Sequence, residues 1–150
     1  MSRDALQLVY EQREKQVNQA LKAYQHAQQA LFEQRQQLQN LHQYRRQYTN
    51  QLSEKGSQGV SIADLGKYQQ FIVQIDQGVT QHQQGMVKFE YDVQAHKKMW
   101  IEAQVNHKAL GMLLEKKAKK KLALADKKEQ MLLDEFATFQ YFQKQSQSGL

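Results

Sequence analysis

Five histidines, His26, His42, His82, His96 and His107, are the side chains best suited to hold a metal or move a proton near neutral pH. No two of them lie three to five residues apart and the chain has no cysteine, so the ligand spacing of an ordinary zinc site is missing. Asp76, Glu90, Asp92 and Glu102 are spread along one helical stretch with no enclosing fold, which leaves a carboxylate pair without a pocket for acid/base work. No G-x-x-x-x-G-K-[ST] stretch exists to cradle a nucleotide, and the clustered glycines, Gly56 and Gly59, are explained by a turn. The expectation is a protein that is not an enzyme, with no cofactor and no metal.

The lysine cluster Lys116, Lys117, Lys119, Lys120 and Lys121, followed by Lys127 and Lys128, has other uses. It carries phosphate-seeking charge, but without interleaved aromatic residues or a known reading motif, so a nucleic-acid-binding helical arm is the alternative reading and nucleic acid is not the expected partner. A solvated helix face needs no partner at all. Docking on an acidic protein surface is the third possibility, with the five clustered lysines as electrostatic contacts.

The elements that position these groups follow from the apolar period. Alternating steps of four and three from Leu6 pass through Tyr10, Arg13, Val17, Ala20, Tyr24, Ala27, Leu31, Gln34, Leu38, Leu41, Arg45 and Tyr48 to Leu52, a heptad seam with three polar interruptions. The register breaks at Ser53–Gly59, where Gly56 is placed to end the helix in the left-handed conformation. Ser61-Ile62-Ala63-Asp64 is a variant capping box flanked by Val60 and Leu65 as a hydrophobic staple. A second seam then runs from Leu65 through Tyr68, Ile72, Ile75, Val79, His82, Met86, Phe89, Val93, His96, Trp100, Ala103, His107 and Leu110 to Leu114.

A short loop between two such helices predicts an all-α fold, a long antiparallel two-helix coiled coil. Setting Leu52 against Leu65 places Ala27 opposite Phe89, Ala20 opposite His96, Val17 opposite Trp100 and Gln34 opposite His82, so small residues face large ones and two polar groups share a layer. The chain is read as one coiled-coil domain, 1–150, with helix 1 at about 3–53, a loop at about 54–61 and helix 2 at about 62–144. Helix 2 outruns helix 1, and its apolar positions continue at Ala118, Leu122, Ala125, Leu132, Phe136 and Phe139 after a four-residue stutter. Such an overhang, with its apolar edge uncovered, should find a partner or fray.

Composition agrees with long helices. The 150 residues include no proline, which costs about 3 kcal/mol inside a helix. With 40% hydrophobic and 24% charged residues and a mean hydropathy of −0.84, a seam can be built but not a thick core. The absence of cysteine fits a reducing compartment, and cytoplasm is the expected location. MSRDALQLVYEQREKQ lacks an apolar core of signal-peptide length, and no run of about 18 apolar residues occurs, so membrane contact is expected only through partners. A formal charge of +6 leaves open an acidic partner surface, nucleic acid or an anionic membrane face.

Several pieces in order carry a family resemblance: LHQYRRQYTNQL at the end of helix 1, YQQFI at the start of helix 2, Thr80-Gln81-His82, a single Trp100, and Asp134-Glu135-Phe136-Ala137 in the overhang. Together they resemble the FliJ family of the bacterial flagellar type III export apparatus. The resemblance implies a coiled coil similar to the gamma-type stalk of rotary ATPases, binding the hexameric ring of the export ATPase FliI. It also implies a link to the export gate protein FlhA, a part in export-chaperone recycling, and peripheral association with the inner membrane.

The contact residues implied by the resemblance are Gln37, Leu41, Tyr44 and Tyr48 on helix 1, and Phe71, Ile75, Gly78 and His82 on helix 2. Each set is spaced four, three, four and so forms one stripe. Gly78 stands where the family has an alanine-type residue, and Ile75 where leucine is usual. Leu41, Tyr48, Ile75 and His82 are also seam positions, so the heptad assigns them to the hairpin while the resemblance offers them to a partner. Gln37, Tyr44 and Phe71 lie off the seam in both readings.

Overall fold

A computed structural model describes residues 2–148 as two helices, α1 (Ser2–Ser57) and α2 (Ile62–Ser148). The fold is an all-α helical hairpin. Every heptad position from Leu6 to Leu52 and from Leu65 to Leu114 is buried or half-buried. That burial has a simple cause: residues repeating every 3.5 positions form one stripe, and only a second stripe can take it out of water.

The turn is tighter than the sequence suggests. Helix α1 continues through Gly56, and the left-handed residue is Gly59, with φ 81°. Ser57 Oγ donates to the Glu54 carbonyl at 2.7 Å, Gln58 N–H to Lys55 O at 3.1 Å and Gly59 N–H to Gly56 O at 3.4 Å. These bonds occupy the last carbonyls of the helix, so reversal waits until residue 59. At the start of α2, Ser61 Oγ accepts from the Asp64 N–H at 3.3 Å, the N-cap bond expected of that sequence.

Contacts divide the chain into two compact units. The first, Lys15–Gln104, contains the turn and the densest packing. Leu31, Met86 and Val93 form its buried cluster, with Tyr24, Ala27, Leu38 and Phe89 packed around them. Ala23, Ala27 and Ala30 line a shallow hollow of about 340 Å³ with Phe89 and His96, so Ala27 and Phe89 share the layer expected of them, while His96 borders it without Ala20. Trp100 stacks on Tyr24 at 5.6 Å between ring centroids, one heptad beyond the Val17 that simple alignment puts opposite it. Helical side chains lean toward their own N-terminus, and on α2 that direction leads toward the layer of Tyr24.

The second unit joins residues up to Glu14 with those from Val105 onward. Tyr10 stacks on His107 at 4.4 Å, and Gly111 lets the same ring approach the α2 backbone. Beyond Leu114, every residue from 115 to 147 is exposed. Among the described residues, no helix is long and apolar enough to cross a membrane.

Candidate functional site

Next to the turn, the two helices bring four aromatic rings together. Tyr48 is the hub. Phe71 lies flat on it, 5.2 Å between centroids and 2° between planes. Tyr44 meets Tyr48 edge-on at 4.9 Å, and Tyr68 lies 6.0 Å away. The Tyr44 and Tyr48 hydroxyls share a hydrogen bond of 3.4 Å. That bond, with burial and the neighbouring phenols, raises the ionisation of Tyr48 above the usual phenol value.

Charged groups brace the rings. Arg45, a polar interruption of the α1 seam, donates through Nε to Asp76 at 2.5 Å and through a terminal nitrogen at 3.4 Å. The hydrogen bond and the opposite charge both hold Arg45 above its ordinary value. Lys55 Nζ donates to the Tyr68 hydroxyl, which raises the lysine in turn. Six residues along α2 from Asp76, His82 Nε2–H donates to the main-chain carbonyl of Gln34 at 2.6 Å. The two polar seam residues do meet in one layer, but the acceptor is backbone, so the bond depends on helix register and not on the Gln34 side chain.

The eight stripe residues divide into three depths. Gln37, Tyr44 and Phe71 are exposed, with Tyr44 at 43% and Phe71 at 45%. Leu41, Tyr48, Gly78 and His82 are half-buried. Ile75, at 6% exposure, is a floor beneath the others and not a surface for contact. The side chains a partner would meet first are therefore Tyr44 and Phe71 over Tyr48, with Gln37 farther along α1. A methyl at Gly78 would meet nothing within 4 Å, so this position keeps the α2 side of the face open.

Sequence spacing alone did not single out Tyr68, Arg45 or Asp76 as parts of this face. Arg45 was legible as a charged residue on an apolar seam, which demands a partner. Its partner is one turn from the residue directly opposite, because the arginine leans toward the N-terminus of α1 before it reaches across.

A family model described as Flagellar FliJ protein matches residues 1–146. The chain belongs to the flagellar FliJ family. A FliJ relative, the Flagellar FliJ protein of Escherichia coli (strain K12), is 30% identical over 101 residues, covering 67% of this chain and 69% of the relative. No solved structure matches. Membership makes this FliJ-family chain a component of the flagellar export apparatus. Among the described residues, no group of three histidines or carboxylates is placed to hold a metal.

The lysines form a separate surface. Lys116, Lys117, Lys119, Lys120 and Lys121 are all exposed. Lys119 pairs with Glu115 at 3.4 Å, while Lys117, Lys120 and Lys121 border an open hollow of about 930 Å³. Glu115 lines the same hollow, so its rim carries three lysines and one acid.

Proposed function

We propose that this chain acts as a non-enzymatic stalk in flagellar protein export, binding the export ATPase FliI ring and linking it to the export gate protein FlhA. The gate contact is made by the face around Tyr44, Tyr48 and Phe71, with Gln37, Leu41, Gly78 and His82 at its margins. Ile75 supports that face from below. The observation that carries this reading is the pair of exposed rings, Tyr44 and Phe71, on facing helices at positions where the FliJ resemblance puts partner contacts. Scattered surface aromatics need no explanation, but rings gathered on one rigid support form a patch that a partner can bury.

The support matters as much as the exposure. Tyr48 is held by Tyr44 and Phe71 on one side and by the packed seam on the other, so little side-chain freedom is left to lose on binding. The protein works in the cytoplasm, approaches the inner membrane through its partners, and contributes to export-chaperone recycling. The test is co-purification with FliI and with the cytoplasmic part of FlhA. Wild-type protein retains both, and Phe71→Ala loses the gate protein while keeping its helicity. Equal capture of wild type and variant by the gate would remove the face from the proposal.

A further inference from the structure

The overhang carries a stripe that the hairpin does not use: Ala118, Leu122, Ala125, Glu129, Leu132, Phe136, Phe139 and Gln143 in steps of four and three. Its large members are open to water, with Leu122, Leu132, Phe136 and Phe139 at 60–66% exposure. A stripe of this period is a coiled-coil strand without its second strand. Charge along the segment is also polar. Residues 115–128 hold seven lysines and two acids, whereas residues 129–144 hold three acids and one lysine.

These two patterns specify one occupant. We infer that the stripe pairs with the same stripe of a second copy, antiparallel, about a two-fold axis between residues 130 and 131. Reversal maps the stripe onto itself: Ala118 meets Gln143 of the second copy, Leu122 meets Phe139, Ala125 meets Phe136 and Glu129 meets Leu132. Each aromatic ring faces a smaller residue. The hollow lined by Leu6, Leu114, Ala118, Leu122 and Ala125 lies on the half that would receive the aromatic half of the second copy. Lys128 flanks the seam beside Glu135 of the second copy, twice by symmetry, while Lys117, Lys120 and Lys121 border the uncharged run Phe139–Gln143 of that copy and its Lys144.

A parallel pair fails on the same grounds. It would set seven lysines against seven lysines and ring against ring, which like-charge repulsion and layer volume both oppose. Glu129, the charged member of the stripe, keeps the antiparallel pair weaker than a fully apolar seam and penalises shifted registers. Association is therefore reversible and depends on concentration. This proposal stands apart from the gate-binding face, since a monomeric chain would still present Tyr44 and Phe71.

The absence of native cysteine gives a clean test. Full-length Ala118→Cys and Gln143→Cys proteins are treated with a short thiol-to-thiol cross-linker, separately and mixed. The mixture yields a covalent dimer and each variant alone does not, because identical cysteines stand 25 residues apart across the axis, about 37 Å. In sedimentation equilibrium, Lys128→Glu and Glu135→Lys each weaken the dimer roughly tenfold and the double variant recovers it. Helicity is read throughout by circular dichroism. Cross-linking of either variant with itself would overturn the antiparallel pairing. A monomer at every concentration would overturn self-pairing, and protection of the stripe only on adding anionic vesicles or a partner protein would assign the face to that occupant instead.

Discussion

Two glycines of α2 allow the packing to be tested by one methyl group each. In Gly78→Ala the new Cβ meets nothing within 4 Å, so the substitution removes backbone freedom from the unfolded chain at no steric cost. The expected gain is about 1 kcal/mol, the difference between glycine and alanine in a helix interior. Gly111→Ala starts from the same gain, but its Cβ comes 3.2 Å from Cε2 of Tyr10. That ring is stacked on His107 and must tilt away, giving up part of an interaction worth about 0.5–1.5 kcal/mol. The gain at 111 is therefore cancelled, leaving a change within about 0.5 kcal/mol of zero. Urea unfolding followed by far-UV circular dichroism reads the difference as a midpoint raised by about 0.3–1 M for Gly78→Ala and nearly unmoved for Gly111→Ala. Hydrogen exchange at amides near each site separates local effects from global ones. Equal stabilisation at the two positions would refute the close approach of Tyr10, and destabilisation at 78 would refute the open surface there.

At the turn, Gly59→Ala destabilises by about 1 kcal/mol, because alanine is strained at φ 81°, whereas Gly56→Ala is tolerated within the helix; thermal melts compare them. Arg45→Ala and Asp76→Ala each cause a small loss of stability that is not additive in the double variant, and the coupling shrinks at high salt because both side chains are 42–48% exposed. Tyr48 and Lys55 are both held above their ordinary values. Their contribution is complete below the unfolded-chain values of 10.0 and 10.5 and is lost as pH rises through the higher folded values. Difference ultraviolet titration of wild type against Tyr48→Phe should therefore show Tyr48 ionising above an ordinary tyrosine; ionisation at or below the ordinary value contradicts the ring cluster.

What the sequence made legible is what periodicity controls. Leu6 to Leu52 and Leu65 to Leu114 lie in the seam because the spacing that identifies them also forces them together. The Ser61 cap was readable for a similar reason, since its bond to Asp64 is local. Contacts that depend on side-chain lean were not readable from a layer count. Trp100 reaches Tyr24, and Arg45 reaches Asp76, each displaced about a turn or more along the helix. The turn differed because capping bonds from Ser57, Gln58 and Gly59 carry the helix past Gly56. At the candidate site, seam and outer residues separate by depth: Ile75 belongs to the floor, Tyr48 is half-buried between floor and surface, and Tyr44 and Phe71 face outward.

The central claim is that the aromatic face beside the turn is the surface offered to the export gate. Isothermal titration of the full chain against the cytoplasmic part of FlhA tests it most directly, with Phe71→Ala and Tyr44→Ala compared with Lys117→Ala. The account predicts at least tenfold weaker binding for each aromatic variant, a loss of about 1.4 kcal/mol, and unchanged binding for the lysine variant. Wild-type binding that survives both aromatic changes, or that is lost with Lys117, would contradict it.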